Sequence, residues 1–254
     1  METILRRERL ILCGCLAAVV VLAWLYLVYT KMAMPDMDML GMVMLDLHEW
    51  GLTTVLLLFV MWTVMMVAMM VPSAAPMILT FLTVNQRRQA AARPFVPVTI
   101  FLVGYLAVWT AFSAGATLAE WGLHQAALLS TTMTATSTAL NGGLLIAAGV
   151  FQWTPLKRAC LKGCRSPLSF LMSEWREGAA GAFIMGLRHG AYCVGCCWFL
   201  MALLFVAGVM NLLWVAVITL FVMAEKISPK GELLARVAGV GLVIAGAMLI
   251  THLW

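Results

Sequence analysis

Charge is scarce in this chain. Of its 254 residues only 11% are Asp, Glu, Lys or Arg, while 64% are hydrophobic. A soluble domain carries about 25% charged and about 45–50% apolar residues, so that class is excluded. The alternation of apolar and polar residues that marks strands is also lacking. The apolar runs are of helix length, so α-helices rather than a β-barrel satisfy the backbone. No nucleotide-binding motif is present, which excludes a pump driven by hydrolysis on this chain. The net charge of +5 comes from basic segments between apolar runs, which points to membrane orientation and not to nucleic acid. The seven cysteines are an odd number, and most lie in or beside apolar runs, which argues against a secreted disulfide framework.

What is present reads as an all-α, polytopic integral membrane helical bundle, a single domain over residues 1–254. Seven transmembrane helices are expected, over 10–29, 51–71, 95–118, 134–153, 178–207, 209–225 and 237–253. Pro72 and Pro76 should kink or end the second, with resumption to about residue 84. Residues 30–50 form an outer Met-rich loop, 120–133 a loop without Lys or Arg, and 154–177 an inner basic loop. Within the basic loop, 166–176 suits an amphipathic helix on the membrane surface. With the N-terminus inside and the C-terminus outside, the inner segments hold Arg6, Arg7 and Arg9, then Arg87, Arg88 and Arg93, then Lys157, Arg158, Lys162, Arg165 and Arg176, then Lys226, Lys230 and Arg236. The outer segments hold only Lys31, and one missed or extra helix would scramble that division.

The chemistry concentrates in the fifth span, at Arg188-His189-Gly190-Ala191-Tyr192-Cys193-Val194-Gly195-Cys196-Cys197. On a helix His189, Cys193 and Cys196 share one face, with Cys197 at its edge. An imidazole and converging thiols in a dry site make a soft-metal constellation. In the second span Met61, Met65 and Met69 repeat along one face. At about 1.5 Å per residue the two stripes lie at the same depth, roughly 15–29 Å below the outer face. If the helices are neighbours, a Met65 or Met69 sulfur should approach Cys193 or Cys196. Thioether, thiolate and imidazole together suit Cu(I) best, with zinc second. The competing reading is packing, since Met and Cys are ordinary core residues.

The outer loop carries a second signal. Met34, Met37, Met39, Met42 and Met44, with His48, have the spacing of extracytoplasmic methionine motifs and could capture metal there. Thioethers need no deprotonation and hold Cu(I) where thiols would be oxidised. Cys160 and Cys164 make a possible inner site, either an exit site or a thiolate pair with lowered pKa, or simply free thiols. Arg188 and Glu225 are candidate functional charges at membrane depth. Glu225 can partner Arg188 or pair with Lys226 at the interface, and Glu120 and His124 read as outer-loop residues.

A resemblance rests on four groups of residues. They are Thr154-Pro155-Leu156-Lys157 with Cys160-Leu161, Cys164-Arg165 and Pro167; Gly186 with His189-Gly190, Cys193, Gly195-Cys196-Cys197-Trp198 and Met201; Met210-Asn211 with Trp214 and Glu225-Lys226; and Met65-Met66, Met69-Met70 and Pro72. Together they resemble a bacterial family of predicted metal-binding integral membrane proteins of unknown function, over roughly residue 51 to the C-terminus. The resemblance implies a multi-pass protein of the bacterial inner membrane. It implies metal binding at His189, Cys193, Cys196 and Cys197, at Cys160 and Cys164, and at the Met-Met motif.

The leading expectation is therefore a membrane protein that captures, moves or delivers a soft metal ion, Cu(I) before zinc, with enzyme activity left open. Its partners would be the lipid bilayer, the metal, and a metallochaperone or membrane oxidase, with no nucleic acid. The alternatives are a thiol-disulfide or copper-dependent oxidoreductase using Cys193 and Cys196, and a structural or assembly subunit of a membrane complex.

Overall fold

The computed structural model describes residues 2–33, 51–90, 96–126 and 137–251. The expected outer metal-capture residues Met34, Met37, Met39, Met42, Met44 and His48 lie outside the described residues. The described chain is all-α. Its helices are α1 (Glu2–Ala33), α2 (Leu52–Ala90), α3 (Val98–Gln125), α4 (Thr138–Phe151) and α5 (Pro155–Arg165). They are followed by α6 (Pro167–Glu174), α7 (Gly178–Ala202), α8 (Leu204–Ala207), α9 (Leu212–Ile227) and α10 (Gly231–Thr251).

Among the described residues five helical stretches are long and apolar enough to cross a membrane: Arg7–Met32, Leu52–Gln89, Val98–Gln125, Gly178–Ala207 and Gly231–Thr251. The other two expected spans are shorter helices. α4 has 14 residues and α9 has 16, or about 21 and 24 Å at a rise of about 1.5 Å per residue. A straight crossing of the hydrocarbon layer needs about 30 Å.

Several elements differ from the expectation. α2 does not end at Pro72 or Pro76 but runs through both to Ala90. Each proline removes one intrahelical amide donor, yet Val71, Ala74, Met77 and Ile78 are buried around them, so packing holds the helix in one piece. α3 continues through residues 120–125, which were expected to be loop. The inner basic segment is two helices, α5 and α6, each with Pro in its first turn, where a missing amide costs nothing. Thr154 caps α5 by accepting from the Lys157 amide. The expected single helix over 178–207 breaks at Leu203, and the chain turns at Gly208, whose φ of +89° favours glycine.

α7 is the centre of the packing. It lies along α3, α5 and α4, while α2 lies against α1, α3 and α9, and α10 pairs with α4. The α3–α7 crossing is close because it is made at glycines. A Cβ on Gly186 would stand 2.1 Å from the Phe101 carbonyl oxygen, and one on Gly104 2.3 Å from that of Phe183. Small residues at a crossing let helices approach backbone to backbone. The approach brings the Tyr105 hydroxyl of α3 to the Cys193 sulfur of α7.

Candidate metal centre

Five thiols gather where α5 crosses α7. Cys193, Cys196 and Cys197 are fully buried on α7, Cys164 is buried on α5, and Cys160 is half-buried. The Cys164 and Cys196 sulfurs are 3.9 Å apart. The Cys160 sulfur rests on Gly195, at a point where a Cβ would lie 2.7 Å away. The sites read separately from the sequence, the α7 face and the inner cysteine pair, are thus one cluster. α5 delivers its thiols because Lys157, Leu161 and Cys164 recur on one helical face, and all three are buried.

Within the cluster the sulfurs differ. The Cys196 and Cys197 thiols donate back to the Cys193 carbonyl oxygen, at 3.1 and 2.9 Å. The Cys193 sulfur faces two other helices. Lys226 Nζ of α9 is 2.9 Å from it, and the Tyr105 hydroxyl of α3 is 3.2 Å from it. Lys226 also donates to Ser73 Oγ of α2 at 2.9 Å. The Tyr105 hydroxyl donates to the Met70 carbonyl oxygen at 3.1 Å, and Ser73 Oγ does so at 2.9 Å. An ammonium carries donors and no acceptor, so Cys193 is the sulfur that receives.

The thiols on α5 are held up. The hydrogen bonds that link it to the Cys193 and Cys196 sulfurs, with burial, keep the Cys164 thiol well above the ordinary thiol range. Burial and the nearby Cys196 sulfur push Cys160 up as well. Both shifts run opposite to the lowered pKa that was one expectation for these two residues.

His189 is 2% exposed and boxed by rings. Its imidazole stacks on Tyr105 and Phe101, with centroids 5.5 and 6.1 Å away, and Phe170 meets it edge-on at 5.6 Å. Among the described residues its Nδ1 has no hydrogen-bond partner. Met61, Met65 and Met69 are buried in the core around α2. Between α2 and the cysteines the polar links run through Tyr105 and Lys226.

The candidate charges find other partners than those expected. Arg188 pairs with Glu174 of α6, and its side chain is 43% exposed. Glu225 is fully buried and pairs with Lys157 at 2.6 Å, not with Arg188 or Lys226. Lys157 also donates to Gln152. Glu120 is not a loop residue. It is 1% exposed and accepts from Trp62 Nε1 at 2.6 Å.

Lys226, Tyr105, Ser73 and Lys157 are the site residues that sequence reasoning missed. Lys157 was traceable, since it repeats with Leu161 and Cys164 at helical spacing inside a segment read as loop. Tyr105 and Ser73 are single polar residues on two different helices with no shared pattern, and Lys226 was read only as an interfacial partner of Glu225.

The arrangement can concentrate sulfur ligands around a soft cation. Among the described residues no three His, Cys, Asp or Glu side chains are already arranged to hold a metal ion. Soft sulfur ligands are the type that Cu(I) takes. A tetrahedral zinc site would need four ligands closed around the metal.

No curated protein and no solved structure matches this chain. A family model does match, over residues 59–249, from the first quarter of α2 almost to the end of α10, and so covers every residue of the cluster. The chain belongs to the family that this model describes, the PpoB2 copper chaperones.

Proposed function

We propose that this chain is a multi-pass protein of the bacterial inner membrane that holds Cu(I) in the α5–α7 thiol cluster and delivers it to an acceptor protein. The observation that carries the reading is the approach of Cys164 to Cys196, 3.9 Å apart, with Cys193 alongside. Soft thiolates select Cu(I), with zinc second. Membership of a copper chaperone family supports copper as the cargo. The long apolar helices support residence in a bilayer.

The topology that goes with this reading has seven crossings, with the N-terminus inside, because the basic segments then share one side. The Met-rich segment 30–50 lies outside and captures the ion. His189, Met61, Met65 and Met69 line its route or complete its ligand set. The acceptor is a metallochaperone or a membrane oxidase.

The test is elemental analysis of protein purified without oxygen, beside a C164S/C193S/C196S variant of matched helix content. About one copper per chain in the wild type, lost in the variant, is the expected result. No copper in either after Cu(I) loading overturns the reading.

A second reading, a thiol-disulfide oxidoreductase, draws on the same 3.9 Å approach. It pairs Cys164 with Cys196, across two helices, in place of Cys193 with Cys196. Copper-dependent protection of these thiols from oxidation separates the two.

A further inference from the structure

The sulfur cluster contains a cation of its own. Lys226 Nζ stands 2.9 Å from the Cys193 sulfur, and the residue is 8% exposed. Ser73 Oγ, 2.9 Å from the same nitrogen, holds it from the opposite helix. Of the other buried charges nearby, Lys157 and Glu225 pair with each other at 2.6 Å, so neither stands alone before the sulfurs. The ammonium is thus the fixed positive charge that faces the sulfurs.

A lysine in that place is a poor ligand and a strong neighbour. Any cation bound by Cys193 sits within a few ångströms of the ammonium and is repelled by it. The repulsion on a divalent ion is twice that on a monovalent one at the same distance, and a dry site screens it weakly. Removing the ammonium therefore relieves a divalent ion more than a monovalent one held by the same thiolates.

We propose that Lys226 is a specificity-determining residue of the cluster, admitting a monovalent thiophilic cation and rejecting divalent zinc by charge. The proposal rests on the copper reading above. It goes beyond that reading by assigning the choice of metal to a residue that is not a ligand. The thiols alone do not discriminate in this way, since zinc also takes thiolate ligands. Ser73 is the positioning residue, because it fixes where the ammonium stands.

The experiment is competition dialysis of the reduced, detergent-solubilised full chain between Ag(I), as an air-stable probe for Cu(I), and Zn(II). Wild type, K226M, K226R and S73A are compared, with bound metal counted by mass spectrometry. An extra unit charge at this range should change the preference by at least about tenfold. K226M is expected to lose that much of the Ag(I)-over-Zn(II) preference, and K226R to keep it. S73A is expected to move the same way by a smaller factor, which keeps the test open if K226M does not fold. A K226M protein with the wild-type ratio, or a K226R protein that loses the ratio as K226M does, overturns the proposal. Wild-type protein that retains neither Ag(I) nor Cu(I) overturns the copper reading itself.

Discussion

The Cys164 sulfur of α5 lies 3.9 Å from the Cys196 sulfur of α7. A disulfide needs about 2.05 Å, so the two are less than a bond's adjustment from joining. A mild oxidant such as diamide should therefore link them before it links Cys193 to Cys196. Peptide mapping after oxidation should show a Cys164–Cys196 bridge, absent in C164S and suppressed by prior Cu(I) loading. A dominant Cys193–Cys196 bridge would contradict this pairing of α5 with α7.

The buried pair of Lys157 and Glu225, 2.6 Å apart, fastens α5 to α9 beside the cluster. Breaking one half of such a pair leaves a buried charge uncompensated and costs about 3–5 kcal/mol. K157M should therefore lower the melting temperature in detergent. The K157M/E225M double variant should recover most of the loss, because both charges leave together. Equal losses in single and double variants would show that the pair acts by packing alone.

The α3–α7 crossing depends on glycine. A Cβ on Gly186 would stand 2.1 Å from a backbone oxygen, whereas one on Gly143 would meet nothing within 4 Å. G186A should cost about 1–3 kcal/mol through overpacking. By moving Tyr105 away from Cys193 it should also weaken metal retention. G143A is the matched control and should change neither. Metal retention by G186A equal to that of wild type would disconnect the crossing from the site.

Burial, and the Cys196 sulfur beside it, hold the Cys160 thiol above its ordinary range. A raised pKa means less thiolate at a given pH, and thiolate is the reactive form. In a variant that keeps Cys160 as its one cysteine in α5 and α7, alkylation at pH 8 should be slower than for a free thiol. It should still be rising with pH beyond the usual thiol midpoint of about 8.5. A rate that levels off below that midpoint would contradict the assigned burial effect.

Much of the fold was legible because length and polarity carry it. Apolar runs longer than a crossing mark α1, α2, α3, α7 and α10, and the glycine that opens α7 marks its start. The weak points were where tertiary packing overrides local signals. Pro72 and Pro76 read as a kink or an end with resumption to about residue 84, but neighbours bury that stretch of α2 and the helix runs on to Ala90. The basic residues of α5 disguised a helix whose buried face carries Lys157, Leu161 and Cys164.

The α7 face of the site was legible from helical spacing alone. That Cys160 and Cys164 belong to the same cluster was not, because α5 and α7 meet only after the chain folds back through α6. Lys226 was visible beside Glu225 but read as an interfacial pair. Its burial against Cys193 and Ser73 depends on α9 lying next to α2 and α7. Glu120 was hidden in the same way, since its partner Trp62 is on another helix.

The most direct test of the account is X-ray absorption at the copper edge on anaerobic, Cu(I)-loaded protein, wild type beside C164S and C193S. The account predicts a first shell made of sulfur, with the shell altered both by C164S from α5 and by C193S from α7. A shell of nitrogen or oxygen in the wild type, or a sulfur shell unchanged in both variants, would contradict it.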